Sequence, residues 1–162
     1  MKIKLAVSAC LLGKNVRYDG KNKFFSLAEY FEESIYELIG ICPEVEMGLP
    51  TPREPIQLLI QNDVLKLVQV KQQTITFNEM MQNWFENNRQ RLQTCSGFIL
   101  KSKSPSCGYK TTPHFRNNKI IKYGNGYFVH LLRKQYPKIA IIDEKSLKSE
   151  KKLQQFKKNL NL

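Results

Sequence analysis

Lys2-Ile3-Lys4-Leu5-Ala6-Val7-Ser8-Ala9-Cys10 is the stretch whose reading decides the fold. Ile3 and Leu5 alternate with lysines, and Ala6 and Val7 then form a short apolar run. Residues 2–9 therefore read as a strand that becomes fully buried. It delivers Ser8, Ala9 and Cys10 to its carboxyl end. A polar, glycine-bearing loop follows from Gly13 to Lys23. Ser26 stands where a helix N-cap is wanted, ahead of Leu27, Tyr30, Phe31 and Ile35 at helical spacing. Leu38-Ile39-Gly40-Ile41 reads as a second strand, and it delivers Cys42.

The pattern continues along the chain. Pro43, Pro50, Pro52 and Pro55 make residues 43–55 a stiff, shaped loop. Ile56–Ile60 and Val64–Val70, separated by Gln61-Asn62-Asp63, predict a hairpin. Thr76-Phe77-Asn78-Glu79 has the form of a capping box and predicts a helix to Gln93. Phe98–Leu100 reads as a strand running into the loop Lys101-Ser102-Lys103-Ser104-Pro105-Ser106-Cys107-Gly108. Gly124-Asn125-Gly126 is a turn before a helix that reaches Tyr136. Lys138–Ile142 is a short strand, and Ser146 is placed to cap a last helix bearing Leu153, Phe156 and Leu160.

Strands alternating with helices predict an α/β fold. It is expected as a single layered domain with a mostly parallel sheet flanked by helices, Rossmann-like, with a small hairpin insertion. Residues 1–144 form that unit, and 145–162 a basic helix packed on it or trailing from it. In such folds ligands bind beyond the carboxyl ends of the strands. Three strands end in a cysteine-bearing loop, so Cys10, Cys42 and Cys107 are expected together at one edge. Cys95 precedes its strand, is expected at the opposite edge, and reads as structural.

The 162 residues suit one domain. They carry 26 basic and 14 acidic side chains, a net charge of +12. Residues 1–100 are neutral, with 11 of each sign, so residues 101–162 hold the whole excess. That excludes a uniformly basic protein of the histone kind. No apolar run approaches the ~20 residues of a membrane span, and the start lacks the long apolar stretch of a signal peptide. The expectation is a cytoplasmic protein with no membrane partner. Cysteines there bind metals or catalyse more often than they pair, although buried cysteine can also serve as a small hydrophobe. Three thiols without a nearby histidine do not complete a zinc tetrahedron. They suit a 4Fe–4S cluster whose fourth iron stays open, although the spacing matches no ferredoxin run.

Three motifs carry a resemblance. They are Val7-Ser8-Ala9-Cys10-Leu11-Leu12-Gly13 with Val16-Arg17-Tyr18-Asp19-Gly20, Cys42-Pro43-Glu44-Val45-Glu46 with Thr51-Pro52-Arg53, and Ile99-Leu100-Lys101 running into Ser104-Pro105-Ser106-Cys107-Gly108. In this order, from residue 3 to about 143, the chain resembles the thiouracil desulfidase family, long catalogued only as a domain of unknown function. The resemblance implies a 4Fe–4S cluster on Cys10, Cys42 and Cys107. Its open iron would take the sulfur of 2- or 4-thiouracil, and water would replace that sulfur to give uracil and hydrosulfide. It implies Glu44 as acid/base and Ser104 as the active-site serine.

The residues around them admit two roles each. Glu44 lies two residues from Cys42, in reach of a substrate, or it forms a salt bridge, to Arg53 for instance. Glu46 points the other way and reads as structural. Ser104 and Ser106 donate to a ring oxygen or shape the turn at Pro105. Ser8 donates at the site or packs strand against loop. Arg17 and Asp19 contact substrate or pair with each other, and Arg53 recognises a substrate carbonyl or phosphate or serves an ion pair. The expected partner is a small thiolated nucleobase or nucleoside. The alternatives are thiolated RNA held by the basic third, or a non-enzymatic nucleic-acid-binding module with structural cysteines. Lys101 and Lys103 stand in the Cys107 loop, where they can hold an anionic cluster or draw an anionic substrate. The C-terminal lysines read mainly as the solvated face of their helix.

Overall fold

A computed structural model describes residues 1–162. Four strands form a parallel sheet in the order β2-β1-β5-β8: β1 (Ile3–Ser8), β2 (Tyr36–Ile41), β5 (Gly97–Leu100) and β8 (Ala140–Asp143). The register aligns their carboxyl ends, with Ser8 beside Ile41, Val7 beside Ile99, and Leu100 beside Asp143. The next residues along the chain therefore share one edge: Ala9-Cys10, Cys42, Lys101 and Glu144. This is the mostly parallel, helix-flanked α/β sheet predicted from the alternation.

Both faces of the sheet are covered, which explains why β5 and β8 are buried at every position. Leu5, Val7 and Ile99 point to one face, where they pack with Leu11, Phe31, Leu153 and Phe156. Ala6, Phe98 and Leu100 point to the other, against α2 (Asn78–Asn87) and α4 (Tyr127–Gln135). Phe128 of α4 sits at the centre of that face, with ring centroids 5.4 Å from Trp84, 6.1 Å from Phe85 and 6.1 Å from Phe98. The last helix, α5 (Glu150–Lys158), turns Leu153 and Phe156 inward and leaves Lys151, Lys152 and Lys158 in solvent. Its Phe156, with Leu160 just beyond the helix, packs so closely on Gly97 that a Cβ there would meet Leu160 at 2.6 Å.

Four expectations need correction. First, the segment after Ser26 is not a helix. Leu27 and Phe31 are buried, but the chain makes one turn on Leu27 and another on Glu32 before entering β2. Nine residues give little return on helix nucleation, and the apolar contacts form without it. Second, the capping box is not built. Thr76 bridges to Val68, and Asn78 spends its side chain on the backbone of β4 (Val64–Gln69), accepting from Leu67 N at 2.7 Å and donating to Leu65 O at 2.9 Å. The helix also breaks at Asn88, leaving a short α3 (Arg89–Gln93).

Third, Ser149 rather than Ser146 caps α5, accepting from Lys152 N at 3.4 Å. Fourth, the predicted hairpin, β3 (Ile56–Gln61) with β4, is half of a second sheet. The other half is β6 (Thr112–Arg116) with β7 (Lys119–Gly124), and β3 joins β6 in parallel to give the order β4-β3-β6-β7. Both hairpins turn through two residues at positive φ, Asn62-Asp63 and Asn117-Asn118, as a tight turn between twisted strands requires. β7 is exposed along almost its whole length, so no alternation marked it as a strand.

Candidate metal centre and active site

A cavity of about 370 Å³ opens at the shared strand edge. Cys10, Cys42 and Cys107 line it, each on a different loop: Cys10 on the turn after β1, Cys42 at the start of the one-turn helix α1 (Pro43–Glu46), and Cys107 on the loop after β5. Pro43 at the first helical position suits its missing N–H. All three thiols are free. Cys95 lies before β5, buried in the core with its Sγ 3.9 Å from Arg91 O, and does not reach the cavity.

The Cys107 loop is held by α4. Gly126, Tyr127 and Phe128 donate their N–H groups to the carbonyls of Gly108, Pro105 and Ser106 at 2.7, 2.8 and 3.0 Å. The helix start satisfies its orphan donors on the loop that carries the thiol. Gly126 makes this possible, because a Cβ would lie 2.5 Å from the Ser106 carbonyl carbon and oxygen. Ser104 Oγ accepts from Ser106 N at 3.2 Å and Cys107 N at 2.9 Å, so its own proton points elsewhere.

Burial pushes the Cys10 thiol up to about 11 against the pull of Arg17 and Lys101, and it also raises Cys42. Cys107 is raised well above its ordinary range, chiefly by burial and further by its neighbours Cys42 and Cys10. A hydrogen bond from Ser8 opposes that rise, and Ser8 Oγ in turn accepts from Lys101 N at 2.9 Å. Three desolvated thiols, with Cys107 raised further by its two neighbours, need an electrophilic centre to become thiolates together. The donors do not gather closely enough to enclose a single metal ion. Three thiols on separate loops fit a polynuclear iron–sulfur centre.

Glu44, only 9% exposed, lines the same cavity. Its Oε1 receives Arg53 Nε at 3.1 Å and Nη2 at 2.9 Å, and its Oε2 receives Ser106 Oγ at 2.8 Å. Arg53 also bonds to Pro50 O, Thr51 Oγ1 and Val16 O. A guanidinium has five N–H donors, and all five are spent. Arg53 therefore follows the ion-pair reading and keeps no donor for a substrate. Ser106 is fully buried behind Glu44 and does not line the cavity. Arg17 lines it, with its Nε 3.7 Å from Asp19. Asp19 stands outside, accepting from Lys21 N. Glu46 faces away, accepting from Cys42 N at 2.9 Å and pairing with Arg91.

The sequence profile of the 2-thiouracil desulfurase family matches residues 5–144. The chain belongs to the 2-thiouracil desulfurase family. A solved structure described as the [4Fe-4S]-dependent thiouracil desulfidase TudS is 30% identical, with a TM-score of 0.68 over 91% of this chain and 94% of that one. The uncharacterized protein YbbK of Bacillus subtilis (strain 168) is 30% identical over 146 residues, covering 80% of this chain and 89% of its own. No helix is long and apolar enough to cross a membrane.

Some of the site lay outside the expectations. Tyr18 and Lys23 line the cavity from a loop whose course no local pattern predicts, and Ile56 lines it from the start of β3. Ser102 and Glu144 form a buried pair with Lys101 beside it. The signal for Glu144 was its position: it directly follows a strand that ends at the same edge.

Proposed function

We propose that this protein removes sulfur from a thiolated pyrimidine base and replaces it with oxygen from water, giving uracil and hydrosulfide from 2- or 4-thiouracil. The observation that carries the reading is the gathering of Cys10, Cys42, Cys107 and Glu44 on one cavity. A 4Fe–4S cluster held by the three cysteines supplies, when bound, an open iron as soft Lewis acid for the thiocarbonyl sulfur. Glu44 acts as base toward the attacking water. Its Oε1 stays paired with Arg53, while Oε2, whose partner is a neutral hydroxyl, takes the proton. Ser104 spends its oxygen on two backbone N–H groups, which leaves its hydroxyl proton for a substrate ring atom. Arg17 offers the remaining guanidinium, and Ser8, which lines the same cavity, supports Cys107. Arg53 and Ser106 position the base, and Asp19 steadies Arg17.

The cavity volume favours a base or nucleoside over a polynucleotide, since small-ligand pockets begin at roughly 300 Å³. Residues 1–144 form the catalytic unit in this reading, and the packed 145–162 segment its extension. Four free cysteines are in keeping with a reducing cytoplasm.

Anaerobic reconstitution with iron and sulfide tests the reading. The wild type turns brown with broad visible absorption. Cys10→Ala, Cys42→Ala and Cys107→Ala each lose the colour, and Cys95→Ala keeps it. Sulfide is then released from 2- or 4-thiouracil. A colourless wild type sinks the reading. Release confined to thiolated tRNA and steeply dependent on salt moves the substrate to RNA.

A further inference from the structure

Five cationic side chains line the thiol cavity: Arg17, Lys23, Arg53, Lys101 and Lys103. Lys23 and Lys103 are exposed, Arg53 is spent on Glu44, and Arg17 leans toward Asp19. Lys101 differs from all of these. Its side chain is 15% exposed, and its Nζ donates to Ser102 O at 2.7 Å and Ser102 Oγ at 3.2 Å and lies 3.3 Å from Glu144 Oε2.

Glu144 is the buried end of this pair and does not line the cavity. It also accepts from Ser102 N at 2.7 Å and Ser102 Oγ at 2.9 Å. These two neutral donors disperse its charge, so the lysine ammonium is held in place without being fully neutralised. Burying a lysine costs several kcal/mol unless it is paired. A pair that served packing alone would have no reason to turn one end to a cavity. Here only the positive end lines the cavity that holds the thiols.

We propose that Lys101 is the fixed counter-charge of the thiol cavity, with Glu144 and Ser102 as the residues that position it. The proposal rests on the reading of the cavity as an iron–sulfur site. Three thiolates on a cluster would leave a net negative charge beside largely buried sulfurs. Cleavage of a carbon–sulfur bond there would add the charge of the hydrosulfide until it departs. A cation locked at the strand edge by Ser102 and Glu144 offsets that charge without reorganisation. Its location follows from topology: Lys101 is the first residue beyond β5 and Glu144 the first beyond β8, and Leu100 and Asp143 are register partners. The two strands place the pair side by side, as they place the cysteines.

The midpoint potential of the reconstituted protein tests this, because one-electron reduction adds negative charge that a nearby cation favours. Lys101→Met shifts the potential to more negative values, and Lys101→Arg restores it toward wild type. Glu144→Gln, which removes the carboxylate and leaves the lysine, shifts it to more positive values. The double variant Lys101→Met/Glu144→Gln carries no buried lone charge and still lies negative of wild type. Opposite signs for the two single variants are the signature, since a structural disturbance has no reason to follow the sign of the charge removed. Shifts of one sign in both, or none in either, overturn the proposal while the cluster assignment stands. A wild type that takes up no cluster overturns the underlying reading, and the proposal with it.

Discussion

Arg53→Met should be among the most costly single substitutions in the chain. Arg53 and Glu44 have side chains only 6% and 11% exposed, and two guanidinium nitrogens meet one carboxylate oxygen at 3.1 and 2.9 Å. Methionine keeps most of the stem volume and removes the charge. It leaves a carboxylate with one remaining partner, the Ser106 hydroxyl at 2.8 Å. Removing one member of a buried pair costs about 3–5 kcal/mol, because the other charge stays desolvated. Urea denaturation of the cluster-free protein measures this. With a slope of about 1–3 kcal/mol/M, the midpoint falls by at least ~1 M. Arg53→Met/Glu44→Gln should regain most of the loss, since replacing both charges removes the penalty. A loss under about 1 kcal/mol in Arg53→Met, or no recovery in the double variant, would refute the picture of Glu44 as an ionised, clamped carboxylate.

Two more outcomes follow from other parts of the site. Gly126→Ala forces a Cβ against the Ser106 carbonyl and the Cys107 N–H, contacts of 2.5 and 2.9 Å made by backbone. It should displace the Cys107 loop, cost about 1–3 kcal/mol, and weaken iron uptake, seen as lower visible absorbance per chain. Glu144 is held below its ordinary value of 4.5: burial alone would raise it, but the Ser102 hydrogen bonds and the Lys101 charge outweigh that. A depressed carboxylate contributes stability above its unfolded value and loses it as pH falls through the lower folded value. Thermal unfolding of the cluster-free protein should therefore soften below about pH 4.5, and less steeply in Glu144→Gln.

The sheet was legible because its strands are buried on both faces and so appear as short apolar runs in the sequence. The cysteine edge followed from where those runs stop. The hairpin at Asn62-Asp63 was legible from two apolar arms around polar residues. Its counterpart at Asn117-Asn118 was not, because β7 exposes both Ile120 and Ile121 and the inward positions of β6 are the polar Thr112 and His114, so neither strand shows an apolar alternation. The Ser26 and Thr76 signals failed for one reason: local capping preferences are weak beside strand pairing and the anchoring of Phe31 and Asn78. Within the site, a sequence placed Arg53 and Glu44 close but could not count donors. Only the geometry shows that Arg53 has none left and that Ser106 stands behind the carboxylate.

The three thiols hang from a sheet that does not need them. Leu5, Val7, Phe98, Ile99 and Phe128 fill the core on the two faces of the sheet, and backbone pairing holds the strand ends in register. A zinc finger folds only around its ion; this scaffold has an extensive apolar core of its own. A chain that loses its cofactor to oxygen should remain a shaped receptacle instead of a substrate for proteases. Repair is then a matter of refilling rather than resynthesis.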